Sequence, residues 1–209
     1  MKYEVAFRRA EALVKRLAPF CERIAIAGSV RRGKAECSDI DLVCIPKTIT
    51  SQDLLGNPEP GKNLLYDELQ AAVAKGGLQW VTGGGDPNGK NWILKVPLVA
   101  SKAKLTFANL ATYQLDIFTA QAENFMTRLN CRTGSMQHNI LLAERAQRMG
   151  GKYRPTEGVD LGVLHQPQTE EEFYQLFGLP YIEPGLREAD HMKRLDRQFA
   201  VSRADTEAP

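Results

Sequence analysis

Three aspartates carry the clearest chemistry in this 209-residue sequence. Asp39 and Asp41 lie one residue apart at the start of an apolar stretch, and alternate side chains of a β-strand share a face. Asp116 stands alone among apolar neighbours in a second strand-like stretch, where a carboxylate without a partner is unfavourable. If the two strands are neighbours, the three carboxylates converge and can hold two divalent ions about 3.5–4 Å apart.

A glycine–serine turn precedes the first acidic pair. The apolar residues 24–27 predict a short buried strand that delivers Gly28 and Ser29 into a tight turn with free backbone N–H groups. Such a turn suits a phosphate group, and so does the nearby Arg32, because arginine can donate two hydrogen bonds to one phosphate. Phosphate and divalent metal together indicate phosphoryl transfer.

A sheet with helices must position these residues. Strand-like stretches occur at 23–27, 40–45, 78–82, 92–96, 104–107 and 112–118. Helical spacing occurs at 3–20, 64–74, 121–130 and 136–149, with a hairpin at 153–164 and a short helix from Thr169 to Phe177. This order predicts an α+β fold in which a mixed sheet with flanking helices is followed by a small helical and hairpin subdomain. Trp80 and Trp92 are expected in the core.

The predicted domains are residues 1–120, residues 121–202 and a disordered polar tail at 203–209. Hydrophobic content of 43%, charged content of 25% and a net charge of +2 are typical of a soluble globular protein. Apolar runs stay well short of the roughly 20 residues that span a bilayer, and the N-terminus lacks the apolar core of an export signal. We therefore expect a cytoplasmic, monomeric protein without a membrane partner. None of the four cysteines has zinc-ligand spacing, so reduced thiols are expected.

Further segments make the sequence similar to a known family. A Gly-Ser turn, Asp-x-Asp and a distant strand aspartate form the pattern of the DNA polymerase beta-like nucleotidyltransferase superfamily. The segment Arg132-Thr133-Gly134-Ser135 resembles the Tyr-Phe-Thr-Gly-Ser segment of family X DNA polymerases. Residues 177–184, Phe-Gly-Leu-Pro-Tyr-Ile-Glu-Pro, resemble the C-terminal Leu-Gly-Leu-Pro-Tyr-x-Glu-Pro signature of that family. The matches keep the family's order over residues 20 to 190.

The resemblance implies a nucleotidyltransferase palm, a C-terminal nucleotide-contacting subdomain and a role for each matched residue. Asp39 and Asp41 would bind two Mg²⁺ ions, for which Mn²⁺ can substitute, and Asp116 would bind the catalytic ion and help activate the primer 3′-hydroxyl. The nucleotide-binding residues would be Gly28, Ser29, Arg32, Ser38, Gly134, Ser135 and Asn139, the last of these at the base. The nucleic-acid-binding residues would be Arg31, Arg132 and Lys95. Arg187 and Glu188 are expected to form a structural ion pair with each other.

The sequence departs from the family pattern at three places. Cys131 and Arg132 replace an aromatic pair that packs against the nucleotide sugar, so ribonucleotide use stays open. Gln114 stands where the best-known members carry an arginine, and Met136 stands where they carry an aspartate. The metal-binding pattern is therefore better matched than the base and sugar contacts.

The resemblance implies metal-dependent transfer from a nucleoside triphosphate to the 3′-hydroxyl of a primer–template or gapped DNA, with release of pyrophosphate. Short-gap filling in repair is the expected setting. Two alternatives remain open. One is a template-independent nucleotidyltransferase that acts on RNA, protein or a small molecule, and template-blind incorporation would favour it. The other is a non-catalytic binding module, against which the three aspartates argue.

Overall fold

The computed structural model describes residues 1–50, 55, 61–98 and 111–200, whose contacts divide them into two compact units. Unit 1 contains the described residues of Met1–Ile26 and Ala35–Ala120. Unit 2 contains those of Ala27–Lys34 and those from Gln121 on. The segment 27–34, which was predicted to lie in the first domain, therefore groups with unit 2. The predicted strand at 104–107 and the predicted disordered tail at 203–209 lie outside the described residues.

Unit 1 is built on a five-stranded mixed sheet. Its strands are β1 (Cys21–Ile26), β2 (Asp39–Pro46), β5 (Gln79–Thr82), β6 (Asn91–Pro97) and β7 (Thr112–Thr119), in the order β1-β2-β7-β6-β5. Strands β2 and β7 are parallel, and the other neighbours are antiparallel. The short strands β3 (Thr48–Ile49) and β4 (Lys62–Asn63) pair with each other. The predicted α+β class with a mixed sheet is confirmed.

One face of this sheet forms the core of unit 1. Helices α1 (Tyr3–Leu17) and α3 (Leu64–Ala74) lie on it, while the short helix α2 (Gly28–Arg31) belongs to unit 2. The ring of Tyr66 in α3 lies 5.7 Å from the ring of Trp92, and Arg9 of α1 lies 4.9 Å from the ring of Tyr113. Both aromatic residues belong to the apolar face, whose strand residues are almost fully buried. The opposite face carries polar side chains at positions 39, 41, 114 and 116, next to the buried Val43 and Phe118.

The glycine-rich segment at 83–91 forms a turn that side chains hold in place. The indole N–H of Trp92 donates to the Asp86 carbonyl at 2.9 Å, and the Thr119 hydroxyl donates to the Gly89 carbonyl at 2.7 Å. Trp92 is fully buried as predicted. Trp80 is only half-buried, because it lies on β5, an end strand of the sheet. One side of its ring stacks on Tyr66.

Unit 2 combines helices with a small sheet. The helices are α2, α4 (Phe125–Thr133), α5 (Met136–Arg148), α6 (Glu170–Gln175) and α7 (Ala189–Gln198). The strands β8 (Lys152–Arg154), β9 (Gly158–Asp160) and β10 (Leu164–His165) form an antiparallel sheet where a hairpin was predicted. Phe173, Tyr174 and Phe177 lie at the centre of the core with residues from α5 and α7. No helix in the described ranges is long and apolar enough to cross a membrane.

Candidate active site

Asp41 and Asp116 are direct partners in the parallel register of β2 and β7. Asp39 lies two residues before Asp41, so its side chain is on the same face, opposite Gln114. The three aspartates are half-buried, while the intervening Ile40 and Leu115 are fully buried on the apolar face. Strands β2 and β7 are thus neighbours. The predicted convergence of the three carboxylates depended on this pairing.

Other polar residues lie on the same face of the sheet. The side-chain amide of Gln114 donates a hydrogen bond to Asp116 Oδ1 at 2.8 Å. Gln114 in turn is the register partner of Lys95 on β6, so Asp39, Gln114 and Lys95 form one row across three strands. Because neighbouring strands lie about 4.8 Å apart, the backbone of Lys95 is about 10 Å from that of Asp39. Lys95 is exposed and supplies positive charge beside the carboxylates.

The backbone of this face fits a site for hard divalent ions. Carboxylate oxygens are the ligands that Mg²⁺ prefers, and the register places two of them on directly opposed residues. Among the described residues, however, no group of three or more His, Cys, Asp or Glu side chains is placed to hold a metal ion. The candidate metal site therefore rests on the shared face of Asp39, Asp41 and Asp116 and not on a preformed cluster of ligands.

The glycine–serine turn belongs to unit 2 and forms the one-turn helix α2. Gly28 has a φ of +61°, a left-handed conformation that favours glycine. The N–H groups of Gly28, Ser29 and Val30 have no acceptor within the helix because they belong to its first turn. The hydroxyl oxygen of Ser29 is buried and has no hydrogen-bond partner among the described residues. A buried hydroxyl in this state is unusual and is suited to accept or donate a bond to a ligand.

Arg31 links α2 to α4 and α6 inside unit 2. Its guanidinium makes a bidentate pair with the Glu170 carboxylate, with N–O distances of 2.9 and 2.6 Å, and also donates to the Thr133 hydroxyl at 3.1 Å. Burial alone would raise the pKa of Glu170, but the hydrogen bonds and charges of Arg31 and Arg187 hold that pKa below its usual range. Arg31 therefore makes structural contacts, and its predicted role in binding nucleic acid stays a prediction.

Arg32 and Lys34 share a second carboxylate. Arg32 Nε lies 3.0 Å and Lys34 Nζ lies 2.7 Å from Glu188 Oε1, and Arg32 Nη1 donates to the Thr133 carbonyl at 2.6 Å. Partial burial favours a higher pKa for Glu188, but the Lys34 hydrogen bond and the Arg32 charge lower the pKa overall. The predicted phosphate ligand Arg32 is thus already in contact with an anion.

Arg187 and Glu188 do not pair with each other, so that prediction was wrong. Arg187 is fully buried, lies 2.8 Å from Glu170 Oε1, and stacks over the ring of Tyr174 at 5.2 Å. Glu188 instead reaches the segment at 27–34. The two side chains leave the short turn at Pro184–Leu186 toward different partners, which adjacency in the sequence could not show.

The Thr-Gly-Ser segment forms the junction between α4 and α5. Ser135 caps α5, since its hydroxyl accepts from the His138 N–H at 3.2 Å. The Ser135 N–H donates to the Arg187 carbonyl at 3.1 Å. A Cβ on Gly134 would approach His138 Cδ2 to 2.7 Å and Asn139 Oδ1 to 2.9 Å, so a larger residue would force these side chains to shift. This segment is therefore hydrogen-bonded directly to Arg187, which closely follows the motif at residues 177–184.

Asn139 has a structural contact and a buried acceptor. Its amide Nδ2 donates to the Cys131 carbonyl at 2.7 Å, near the end of α4, while Oδ1 is buried without a hydrogen-bond partner in the described part of the chain. Its predicted contact with the base stays a prediction. Cys131 is half-buried, and burial raises the pKa of its thiol, whereas Arg132 and Met136 are exposed.

Ser38 is a predicted residue of unit 1, whereas Glu170 and Lys34 belong to unit 2. Ser38 is exposed immediately before β2 in unit 1. Glu170 and Lys34 were not singled out from the sequence as binding partners. Glu170 is one of three consecutive glutamates at the start of α6, and nothing in the sequence distinguishes it from Glu171 or Glu172.

Two comparisons with known proteins relate to this site. Residues 128–188 match the family model described as DNA polymerase beta thumb. A stretch of 77 residues is 36% identical to the DNA polymerase/3′-5′ exonuclease PolX of Bacillus subtilis (strain 168). That stretch covers 36% of this chain and 14% of the relative, so the similarity spans only a small part of the larger protein.

Proposed function

We propose that this family X DNA polymerase-like chain transfers a nucleotidyl group from a nucleoside triphosphate to the 3′-hydroxyl of a DNA primer. The 3′-oxygen bonds to the α-phosphorus, the bond from that phosphorus to the bridging oxygen breaks, and pyrophosphate leaves. The observation that carries the proposal is the register that opposes Asp41 to Asp116, with Asp39 on the same face. The three carboxylates are half-buried and lie on the face opposite the fully buried Ile40, Leu42 and Leu115, so burial of apolar surface does not account for them.

Asp39, Asp41 and Asp116 are the residues that would hold two Mg²⁺ ions, with Mn²⁺ as a substitute. Bound there, the ions would supply Lewis-acid activation of the hydroxyl and neutralise charge on the triphosphate. Gln114 orients the Asp116 carboxylate through its amide. The task of the protein is chiefly to position the reactants and to oppose their negative charge.

The triphosphate would bind Ser29, Arg32 and the first N–H groups of α2. The unpartnered hydroxyl of Ser29 supports this assignment. Arg32 would exchange the Glu188 carboxylate for phosphate oxygens, which offer it the same type of charged hydrogen bond. Arg132 and Lys95 are exposed cations that suit a DNA backbone, and Ser38, Gly134, Ser135 and Asn139 stay candidates for contacts to the nucleotide.

The test is primer extension on a duplex with a one-nucleotide gap, which is the substrate expected of short-gap repair. Each of the four deoxynucleotides and four ribonucleotides is supplied singly, with Mg²⁺ or Mn²⁺. Asp116→Asn should abolish incorporation, while Asp190→Asn, which changes an exposed aspartate in α7, should retain it. Full activity of Asp116→Asn would overturn the assignment of the carboxylates.

A template-independent transferase is the second candidate. Cys131 is half-buried and takes the place of an aromatic residue that would pack against the sugar. The ratio of deoxynucleotide to ribonucleotide incorporation reports how strongly the site selects the sugar. Incorporation that ignores the template base would favour this second candidate and direct the search to RNA, protein or small-molecule acceptors.

A further inference from the structure

Helix α7 turns Asp196 toward α5 and leaves three cations exposed. Its buried residues Met192 and Leu195 pack into the core of unit 2. Asp196 is turned toward α5, where its Oδ1 lies 2.8 Å from Arg145 Nη1 and 2.6 Å from Arg148 Nη2. Asp196, in the last turn of α7, is therefore neutralised by arginines of α5 and does not oppose the charge on the outside of the helix.

The outer side of α7 carries a basic stripe, which consists of Lys193, Arg194 and Arg197. All three side chains are exposed, and none of them forms an ion pair within the described residues. Arg194 lies 3.3 Å from the half-buried His191, and Arg197 Nε donates to the Lys193 carbonyl at 3.3 Å. Exposed Asp190 precedes Lys193 by three residues and Arg194 by four, so it lies on the same side of the helix, and the stripe keeps a net positive charge beside it.

The helix that presents the stripe is firmly attached to unit 2. Arg145 is almost fully buried, and its guanidinium donates to the carbonyl groups of Phe177 and Phe199 at 2.5 and 2.7 Å, in addition to its contact with Asp196. These bonds fix the C-terminal end of α7, and the buried Met192 and Leu195 anchor the rest of the helix in the core. The three cations are therefore displayed on a rigid element, which reduces the entropy lost when they bind a partner.

We infer that the basic stripe of α7 binds the phosphate backbone of duplex DNA; the identity of this partner rests on the proposed function. The stripe spans about 6 Å along the helix axis, because each residue rises about 1.5 Å. Duplex DNA carries one negative charge for about every 1.7 Å of its axis, so several phosphates can face the three cations at once. The stripe begins after residue 188, where the thumb-family match ends, and so adds a contact beyond that match.

The experiment measures binding of a labelled one-nucleotide-gapped duplex without nucleotide or metal, over about 50–200 mM salt. The test variant is Lys193→Gln/Arg194→Gln/Arg197→Gln. The matched control is Arg8→Gln/Lys15→Gln/Lys75→Gln, which removes the same three charges from exposed positions of unit 1. Thermal melting of both variants verifies that each is folded.

We expect the stripe variant to bind about tenfold or more weakly at the low-salt end, with a slope of log K against log salt that is shallower by roughly 2.7. The control should bind like the wild type. The inference is overturned if the stripe variant binds normally, if both variants lose the same affinity, or if the wild type shows no salt-dependent binding. If the wild type binds the duplex but does not extend a primer, the proposed function is contradicted. The inference that the stripe binds DNA is then still supported.

Discussion

Asp41 and Asp116 stand directly opposite each other on parallel neighbouring strands, so two like charges face one another across the sheet. Opposed like charges destabilise a strand pair, and a sequence under selection for stability alone would not keep them. The Asp39 carboxylate on the same face adds to the repulsion. The arrangement is therefore the pattern expected where function, not packing, chooses the residues.

The first prediction concerns Asp41→Asn. Removing one of the two opposed charges should leave the free energy of unfolding unchanged or raise it by up to about 1 kcal/mol, because the repulsion is relieved. Primer extension should fall at least about a hundredfold, since charge stabilisation in the transition state is lost. Urea denaturation and extension assays measure the two effects. A variant that is both unstable and inactive would assign Asp41 a structural role.

The second prediction concerns the shared carboxylate of Glu170. Glu170→Gln should lower the free energy of unfolding by about 3–5 kcal/mol, because it leaves the buried Arg187 and the bidentate Arg31 without their counter-charge. Glu171→Gln, one residue further in α6 and exposed, is the matched control and should change stability by less than about 0.5 kcal/mol. Equal effects of the two variants in urea denaturation would contradict the three-way pairing.

The third prediction is a dependence of stability on pH through His138. Burial and the Arg187 charge lower the pKa of His138 to about 3, and its ring contacts the Tyr174 hydroxyl at 3.2 Å. The unfolded chain therefore binds a proton near pH 6.5 that the folded protein does not bind until about pH 3. Stability from this group is complete above pH 6.5 and falls by about 1.4 kcal/mol for each pH unit below it.

Denaturation curves between pH 7 and pH 4 measure this slope. His138→Gln should flatten it, whatever its effect on stability at pH 7, because glutamine takes up no proton in this range. His165→Asn removes an exposed histidine and should retain the wild-type slope. A slope that survives in His138→Gln would assign the acid sensitivity to other groups, with Glu170 as the next to be tested.

The fourth prediction concerns competition for Arg32. Glu188 holds both Arg32 and Lys34, so Glu188→Gln should free the two cations and tighten binding of a nucleoside triphosphate. The pair is partly exposed and worth at most about 1 kcal/mol, which limits the gain to about fivefold. Calorimetric titration with a non-hydrolysable triphosphate measures the effect, and Glu183→Gln, an exposed neighbour, is the control. Weaker binding by Glu188→Gln would show that Glu188 positions Arg32 for the ligand.

The sequence predicted the structure well wherever apolar residues repeat at the short spacing of a strand or a helix. The alternation around Asp39 and Asp116 predicted both strands and the face that the carboxylates share, because side-chain direction in a strand repeats every two residues. Helix α3 was predicted at its observed bounds for the corresponding reason. Helix α7 was missed, because its buried side rests on only two large apolar residues, Met192 and Leu195, within a strongly charged segment.

Contacts between distant residues could not be predicted in the same way. Arg31 and Glu170 are separated by 139 positions, and Arg32 and Glu188 by 156. Several acidic residues near the C-terminal motifs could pair with each arginine. Which of them becomes the partner depends on how the helices of unit 2 pack. The partners of Arg32 and Arg187 were therefore found only in the structure.

Unit 2 is formed by two separate segments of the chain, and this has a consequence for folding. The short segment at 27–34 is synthesised long before the helices that bind it, and the intervening chain forms unit 1. The ion pairs of Arg31 and Arg32 thus close very long loops, which is entropically costly and slows folding. A fragment that begins at residue 121 would lack both arginines and leave Glu170 and Glu188 short of partners. Supplying residues 27–34 as a separate peptide should restore those contacts, so the C-terminal half depends for its completion on a part of the chain that lies outside it.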